Sequence, residues 1–435
     1  MRVFHKVLGM NKLSRRIFAV LLAIFSVSVS SAEPLEIPGI NQIPKRLYGA
    51  GMIPNYVIMV SQGGETIFSE AAGYIDITAT REVDENSIYA IASMTKPIVS
   101  TAILQLIERG QLDLETKLKD IFPQFAFMMV APKGDMSAAF EPAKEDITIR
   151  HLLTHTAGFT YPPAVLGVGD VADLYDELGI LFLPTQEEFI ETISQVPLVA
   201  HPGESFNYSM GVDILGAVIE KVTGQKLSQF VRENITVPLK MNDTDFFVPE
   251  EKRNRFVRVY APEDINNAAP PSLAGQPSWK ISETLYFGIP FDLFGRQSSR
   301  RESGGGGLFS SASDYLRYAS AIALGGELDG VRILDAETVE LHFTNLMPNL
   351  GLEAFEANFG PSAQFMQFAG GFGIKLESDG TGAADYAFWG GAANTFFWID
   401  RDKEIAGLFF SHISPPRYNV IEDIEQAVDL AFEQK

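Results

Sequence analysis

In the stretch Ile91-Ala92-Ser93-Met94-Thr95-Lys96-Pro97 a hydroxyl and an amine stand three positions apart. On a helix that spacing puts both on one face, within reach of each other. A serine hydroxyl is a weak nucleophile until a base takes its proton. A lysine beside it can take that role when neighbouring donors or partial desolvation favour its neutral form. The start of the helix adds backbone N–H groups and a positive dipole end where an oxyanion would form. Ordinary helix starts produce the same spacing by chance, so the pair needs support from elsewhere in the chain.

One support is Pro202-Gly203-Glu204-Ser205-Phe206-Asn207-Tyr208-Ser209-Met210, where a turn delivers Tyr208 just before a helical run. A phenol, with an ordinary pKa of about 10, serves as a base near neutrality only beside a cation, and Lys96 can supply that charge. A core-edge aromatic with a satisfied hydroxyl is the plainer reading of Tyr208 taken singly. Another support is Phe388-Trp389-Gly390-Gly391-Ala392, a strand-like run whose two glycines leave its backbone bare. A substrate can lie against such an edge, and the Ala392 N–H is a candidate oxyanion donor beside that of Ser93. A bulge or a tight sheet edge would read the same way.

The elements that must position these groups are legible from pattern. Two strand-like runs flank Gln62-Gly63-Gly64 between Tyr56 and Ala71, which predicts a hairpin. Met94, Ile98, Ile103, Leu106 and Ile107 fall at helical spacing from Ser93 to Arg109, with Pro97 in the first turn and Gly110 past the end, which predicts a buried helix. From about 110 to 300, helical patterns such as Asp213 to Val222 and Leu227 to Glu233 alternate with irregular stretches, the longest at 126–148 and 261–303. Strands return at Ala387–Trp389, Thr395–Asp400 and Ile405–Ser411, and an amphipathic helix with Val420, Ile421, Ile424, Ala427, Val428 and Ala431 on one face closes the chain. The expected architecture is α/β (α+β): an antiparallel sheet flanked by helices, built from residues 33–110 and 300–435, with a mostly helical domain at 111–299 inserted.

Composition removes whole classes of chemistry. The 435 residues contain no cysteine, so disulfides, zinc–thiolate sites, iron–sulfur clusters and cysteine nucleophiles are excluded. Residues 1–32 hold five basic residues and no acid, followed by the apolar run Ile17–Val29 and the small residues Ser30-Ser31-Ala32. This run is shorter than the roughly 20 residues that span a bilayer, so it is expected to be a signal peptide cleaved after Ala32. Met10 is an alternative start. The expected product is periplasmic or secreted, without a stable membrane anchor. Without that leader, 29 Lys and Arg face 55 Asp and Glu, and the one basic cluster, Lys252 to Arg258, is short, so nucleic acid is not an expected partner.

Other spacings lead nowhere specific. His151 and His155 lie one helical turn apart, as two metal ligands can, but no third ligand stands near them; neither metal nor organic cofactor is expected. No Gly-x-Ser-x-Gly elbow occurs in the chain, which disfavours an α/β-hydrolase triad. The run Gly304–Gly307 lacks a following Gly-Lys-Ser/Thr and leads into Ser311-Ala312-Ser313-Asp314, so it reads as a packing turn before a capped helix.

Together these elements resemble the serine β-lactamase and penicillin-binding superfamily, most closely the class C β-lactamase-like branch that includes the family VIII carboxylesterases. The resemblance extends through Arg150-His151-Leu152-Leu153-Thr154-His155-Thr156-Ala157-Gly158, Leu215 to Glu220, Pro238 to Thr244, Gly305 to Tyr315 and Trp389-Gly390-Gly391. It implies a β-lactamase/transpeptidase-like fold. Ser93 would be the acylated nucleophile, Lys96 and Tyr208 its proton-transfer partners, and Trp389, Gly390 and Gly391 the strand beside the substrate.

Two departures bear on the substrate. β-Lactamases of this branch usually have Asn two residues after the tyrosine, where this chain has Met210, and Lys-Thr-Gly on the strand, where it has Trp389-Gly390-Gly391. A substrate carboxylate loses a cationic partner there and a neutral acyl group gains an apolar wall. The expected activity is therefore hydrolysis of small esters. A β-lactamase, a D-alanyl-D-alanine carboxypeptidase and a non-catalytic binding module of the same fold are the alternatives.

Overall fold

The hairpin forms where two glycines allow it. Strands β1 (Asn55–Gln62) and β2 (Glu65–Gly73) are joined by Gly63 and Gly64, both at positive φ, a backbone that glycine adopts without steric cost. Five further strands complete the sheet: β3 (Met366–Ala369), β4 (Phe372–Lys375), β5 (Tyr386–Gly391), β6 (Thr395–Asp400) and β7 (Ile405–Phe410). The order is β3-β4-β5-β6-β7-β1-β2, antiparallel throughout, so β1 pairs with β7 and the two ends of the chain meet in mid-sheet.

This computed structural model describes residues 37–76, 81–262, 279–281, 301–347, 350, 366–376, 384–414 and 420–433. The leader expected over residues 1–32 and most of the loop expected at 261–303 lie outside them. The other long loop, 126–148, contains 3₁₀ turns and one two-residue ladder, Met129–Val130 against Glu141–Pro142.

Five helices bear on the site: α1 (Thr95–Glu108), α2 (Ile149–Leu153), α3 (Gly211–Thr223), α4 (Ala312–Ala323) and α5 (Ile421–Glu433). Residues Thr95 through Leu106 of α1 are all buried, as a helix enclosed on every side requires. Helix α3 packs on both α1 and α2. The α4 start is capped by the Ser311 hydroxyl, which accepts from the Asp314 N–H at 3.2 Å.

Side chains alternate across the sheet, and this sorts the helices to its faces. Trp389, Phe397, Leu408 and Met59 stand opposite one another on neighbouring strands and share one face. Helix α4 covers that face, with the Tyr315 ring 5.1 Å from that of Phe397. Tyr386 points the other way and bonds to Glu425 of α5. The β3–β4 turn presses on α1: a Cβ added to Gly371 would lie 2.4 Å from Ser100 Oγ and 2.8 Å from the Lys96 carbonyl oxygen. Only glycine fits between this turn and the helix that carries Lys96.

Candidate active site

Ser93 lies in a single 3₁₀ turn, Ala92–Met94, that runs directly into α1. The preceding Ala92 sits at φ 46°, a left-handed backbone costing an alanine on the order of 1–3 kcal/mol. Its surroundings hold it there. The Ile91 N–H donates to the Leu308 carbonyl at 3.1 Å, the Leu308 N–H to Thr95 Oγ1 at 3.0 Å, and the Tyr315 hydroxyl to the Met94 carbonyl at 2.9 Å.

Lys96, one turn along, has no exposed surface. Its Nζ donates to Ser93 Oγ at 3.2 Å and to the Gly305 carbonyl at 2.6 Å. The ammonium also faces two phenol rings, with 4.7 Å to the centroid of Tyr208 and 5.4 Å to that of Tyr161. Such contacts attract a cation to the ring quadrupole. The three residues that the sequence singled out, Ser93, Lys96 and Tyr208, therefore meet around one ammonium.

The wall is aromatic. The Tyr208 ring lies 5.6 Å from Trp389, 5.4 Å from Tyr161 and 4.7 Å from His155, and Trp389 meets Phe368 edge-on at 4.9 Å. The strand carrying Trp389 reaches the nucleophile through its glycines. A Cβ on Gly391 would lie 2.3 Å from the Ile91 carbonyl oxygen, so β5 can approach the serine turn closely only with a bare backbone there. Ala392 follows that contact. Neither its N–H nor that of Ser93 has a carbonyl acceptor among the turn and loop hydrogen bonds of the described residues.

Met210 is placed differently. It has no exposed surface, and its N–H donates to the Thr160 carbonyl at 3.3 Å at the start of α3. It therefore belongs to the buried hydrophobic core, with no surface open to a substrate.

Behind Lys96 lies a buried polar network that sequence reasoning did not find. Asp213 pairs with Arg301 at 3.0 Å and accepts from the Ser303 hydroxyl at 2.5 Å. Tyr161 also hydrogen-bonds to Asp213; burial first, and then the nearby carboxylate, hold its phenol well above the ordinary tyrosine range. The network closes on the backbone that receives Lys96, since a Cβ on Gly305 would lie 2.2 Å from Asp213 Oδ2. The signal available in sequence was a carboxylate among Val212, Ile214 and Leu215, at a position a buried helix would normally fill with an apolar residue. Its partner Arg301 lies 88 positions away.

The two histidines spaced one turn apart serve separate backbone sites. His151 Nδ1 accepts from the Thr148 N–H at 3.3 Å and His155 Nδ1 from the Ser209 N–H at 3.2 Å. Among the described residues no group of three or more His, Asp or Glu is placed to hold a metal.

The family model described as Beta-lactamase matches residues 40–431. This chain belongs to the beta-lactamase family. Esterase EstB of Burkholderia gladioli is 33% identical over 286 residues, covering 64% of this chain and 66% of that protein. Monacolin J acid methylbutanoyltransferase of Aspergillus terreus is 26% identical, covering 79% and 81%. The solved structure of EstCE1, titled a hydrolase with promiscuous acyltransferase activity, superposes with a TM-score of 0.71 at 23% identity, covering 90% of this chain and 97% of that one. That likeness shows the β-lactamase/transpeptidase fold. The chain is thus a beta-lactamase-family enzyme related to serine hydrolases.

Proposed function

We propose that this protein is a carboxylesterase that acts on small esters through an acyl-enzyme on Ser93. The observation that carries the reading is Lys96 Nζ, 3.2 Å from Ser93 Oγ and 4.7 Å from the Tyr208 ring centroid. Ser93 Oγ attacks the ester carbonyl while its proton passes to the Tyr208–Lys96 pair. The carbonyl oxygen takes up negative charge facing the N–H groups of Ser93 and Ala392, the usual arrangement for acyl transfer. Collapse breaks the bond to the alcohol, which leaves with the proton. Water then attacks the acyl-enzyme and gives up its proton to the same pair; the bond from the acyl carbon to Ser93 Oγ breaks, Oγ takes that proton back, and the carboxylic acid leaves. An alcohol replacing that water would make the same residues transfer the acyl group, the activity named for the Aspergillus terreus relative.

Trp389 supports an uncharged acyl group. It stands on β5 against Tyr208 and Phe368, where a carboxylate-bearing substrate would call for a cation. The name of EstB points the same way. The basic and apolar leader of residues 1–32 supports export and cleavage after Ala32.

The test compares p-nitrophenyl butyrate, a chromogenic cephalosporin and a D-Ala-D-Ala peptide at equal enzyme. The ester should be turned over fastest. Preferential turnover of the cephalosporin or the peptide would replace the esterase reading. Turnover of none of them, with partner binding insensitive to Ser93→Ala, would make the protein a binding module.

A further inference from the structure

We propose that His155 is the positioning residue for Tyr208, holding the backbone on both sides of the phenol. The inference rests on the reading of Tyr208 as a proton-transfer group and goes beyond it to the residue that sets its place. The His155 carbonyl accepts from the Asn207 N–H at 2.8 Å, while its ring Nδ1 accepts from the Ser209 N–H at 3.2 Å. The residues before and after Tyr208 are thus tied to one histidine. Its ring meets Tyr208 at 4.7 Å between centroids and is backed by Phe368 at 4.7 Å and Phe206 at 6.0 Å. The clamp limits both the path of the chain and the tilt of the phenol.

The arrangement is demanding for this residue. His155 lies just past the end of α2 with φ 55° and has no exposed surface. Left-handed backbone is uncommon outside glycine, though Asn, Asp and His are enriched there. Nδ1 faces both the N–H and the hydroxyl of Ser209, each at 3.2 Å; to accept the N–H it must be unprotonated, which puts the neutral ring's proton on Nε2. Burial first, and then the charge of Lys96, hold the imidazole well below the ordinary histidine range, which keeps that tautomer available. A protonated ring could donate only to the Ser209 hydroxyl and would lose the bond from the Ser209 N–H that holds the chain after Tyr208.

Asparagine is the informative replacement. It tolerates left-handed backbone and its Oδ1 stands close to where Nδ1 stood, whereas glutamine carries its acceptor one bond further out and phenylalanine carries none. In protein whose wild-type form labels at Ser93 and hydrolyses p-nitrophenyl butyrate, His155→Phe should lower kcat about 100-fold, the scale of loss for a reacting group displaced by about 1 Å. KM should stay within about threefold, and His155→Asn should restore kcat to within about tenfold of wild type. Thermal midpoints and circular dichroism confirm that each variant is folded. If His155→Phe does not fold, His155→Asn against His155→Gln makes the same comparison.

A second readout separates positioning from general packing. In a Tyr208→Phe background, His155→Asn and His155→Gln should label Ser93 at equal rates, because the phenol they orient is gone. Equal kcat for the asparagine variant and the phenylalanine or glutamine variant in the Tyr208 background would overturn the inference. So would an undiminished Asn-to-Gln difference in the Tyr208→Phe background. Inactive wild-type protein would instead refute the esterase reading itself.

Discussion

Lys96 Nζ donates to the carbonyl oxygen of Gly305 at 2.6 Å, across 209 positions of sequence. That bond fixes the ammonium between the Ser93 hydroxyl and the phenol rings, and the Asp213–Arg301 pair lies directly behind the Gly305 backbone. The predictions below follow from this chain of contacts.

Lys96 and Tyr208 act on one proton path, so their losses should not add. Lys96→Met and Tyr208→Phe should each lower kcat for p-nitrophenyl butyrate by about 10²–10⁴-fold, the range for general acid–base groups. The double variant should be no more than about tenfold worse than the poorer single one. Full additivity would show two independent roles.

The approach of β5 to the serine turn should tolerate no side chain. Gly391→Ala places a Cβ 2.3 Å from the Ile91 carbonyl oxygen and should displace the Ala392 N–H, lowering kcat about 100-fold. Ala392→Pro removes that donor outright, at about 3–4 kcal/mol of transition-state stabilisation. Binding of a ground-state analogue should change far less in both. Equal losses of turnover and binding would show that the strand as a whole was distorted.

The extent to which this site was readable in sequence follows from how far apart its parts lie. The hairpin around Gly63-Gly64 and the helix after Ser93 are set by local pattern, and both formed where expected. The Ser93–Lys96 contact is local as well, since one helical turn separates the two residues. Tyr161, Asp213, Arg301 and Gly305 come together only through tertiary packing, and each taken singly has an ordinary explanation. Strands β3 and β4 escaped notice because their hairpin, Phe368-Ala369-Gly370-Gly371-Phe372, carries no polar alternation: Gln367, Phe368, Ala369, Phe372, Gly373 and Ile374 are all buried. Buried strands read as continuous apolar runs, which periodicity cannot assign.

The two halves of the Asp213–Arg301 pair should not be removable singly. Both side chains are almost fully enclosed, at 2% and 3% exposure. Asp213→Asn leaves the Arg301 charge buried without its partner, and breaking such a pair costs about 3–5 kcal/mol. Urea unfolding should show a loss of that order. A loss below about 1 kcal/mol would mean that Arg301 readily finds another partner.

Acid should weaken the fold through His342. Its Nδ1 donates to the Gly370 carbonyl at 2.7 Å in the β3–β4 turn, and its Nε2 lies 3.0 Å from Thr101 Oγ1 on α1. Burial lowers its pKa to about 3 from the ordinary 6.5. The unfolded chain therefore binds a proton between these values that the folded chain refuses. Its contribution to stability is complete above pH 6.5 and is lost progressively as the pH falls towards about 3. Between pH 6.5 and 4.5 the loss from this group should be about 2 kcal/mol. In urea unfolding, His342→Gln should flatten that part of the stability profile; an unchanged slope would assign the acid sensitivity to other groups.

The central claim is that Ser93 carries the acyl group. The direct measurement is covalent labelling of wild-type protein with a fluorophosphonate, followed by intact mass and peptide mapping. The account predicts one adduct per chain, on the peptide containing Ser93, slowed strongly by Lys96→Met and absent in Ser93→Ala. An adduct on any other serine of the wild-type protein, or labelling that survives Ser93→Ala, would contradict it.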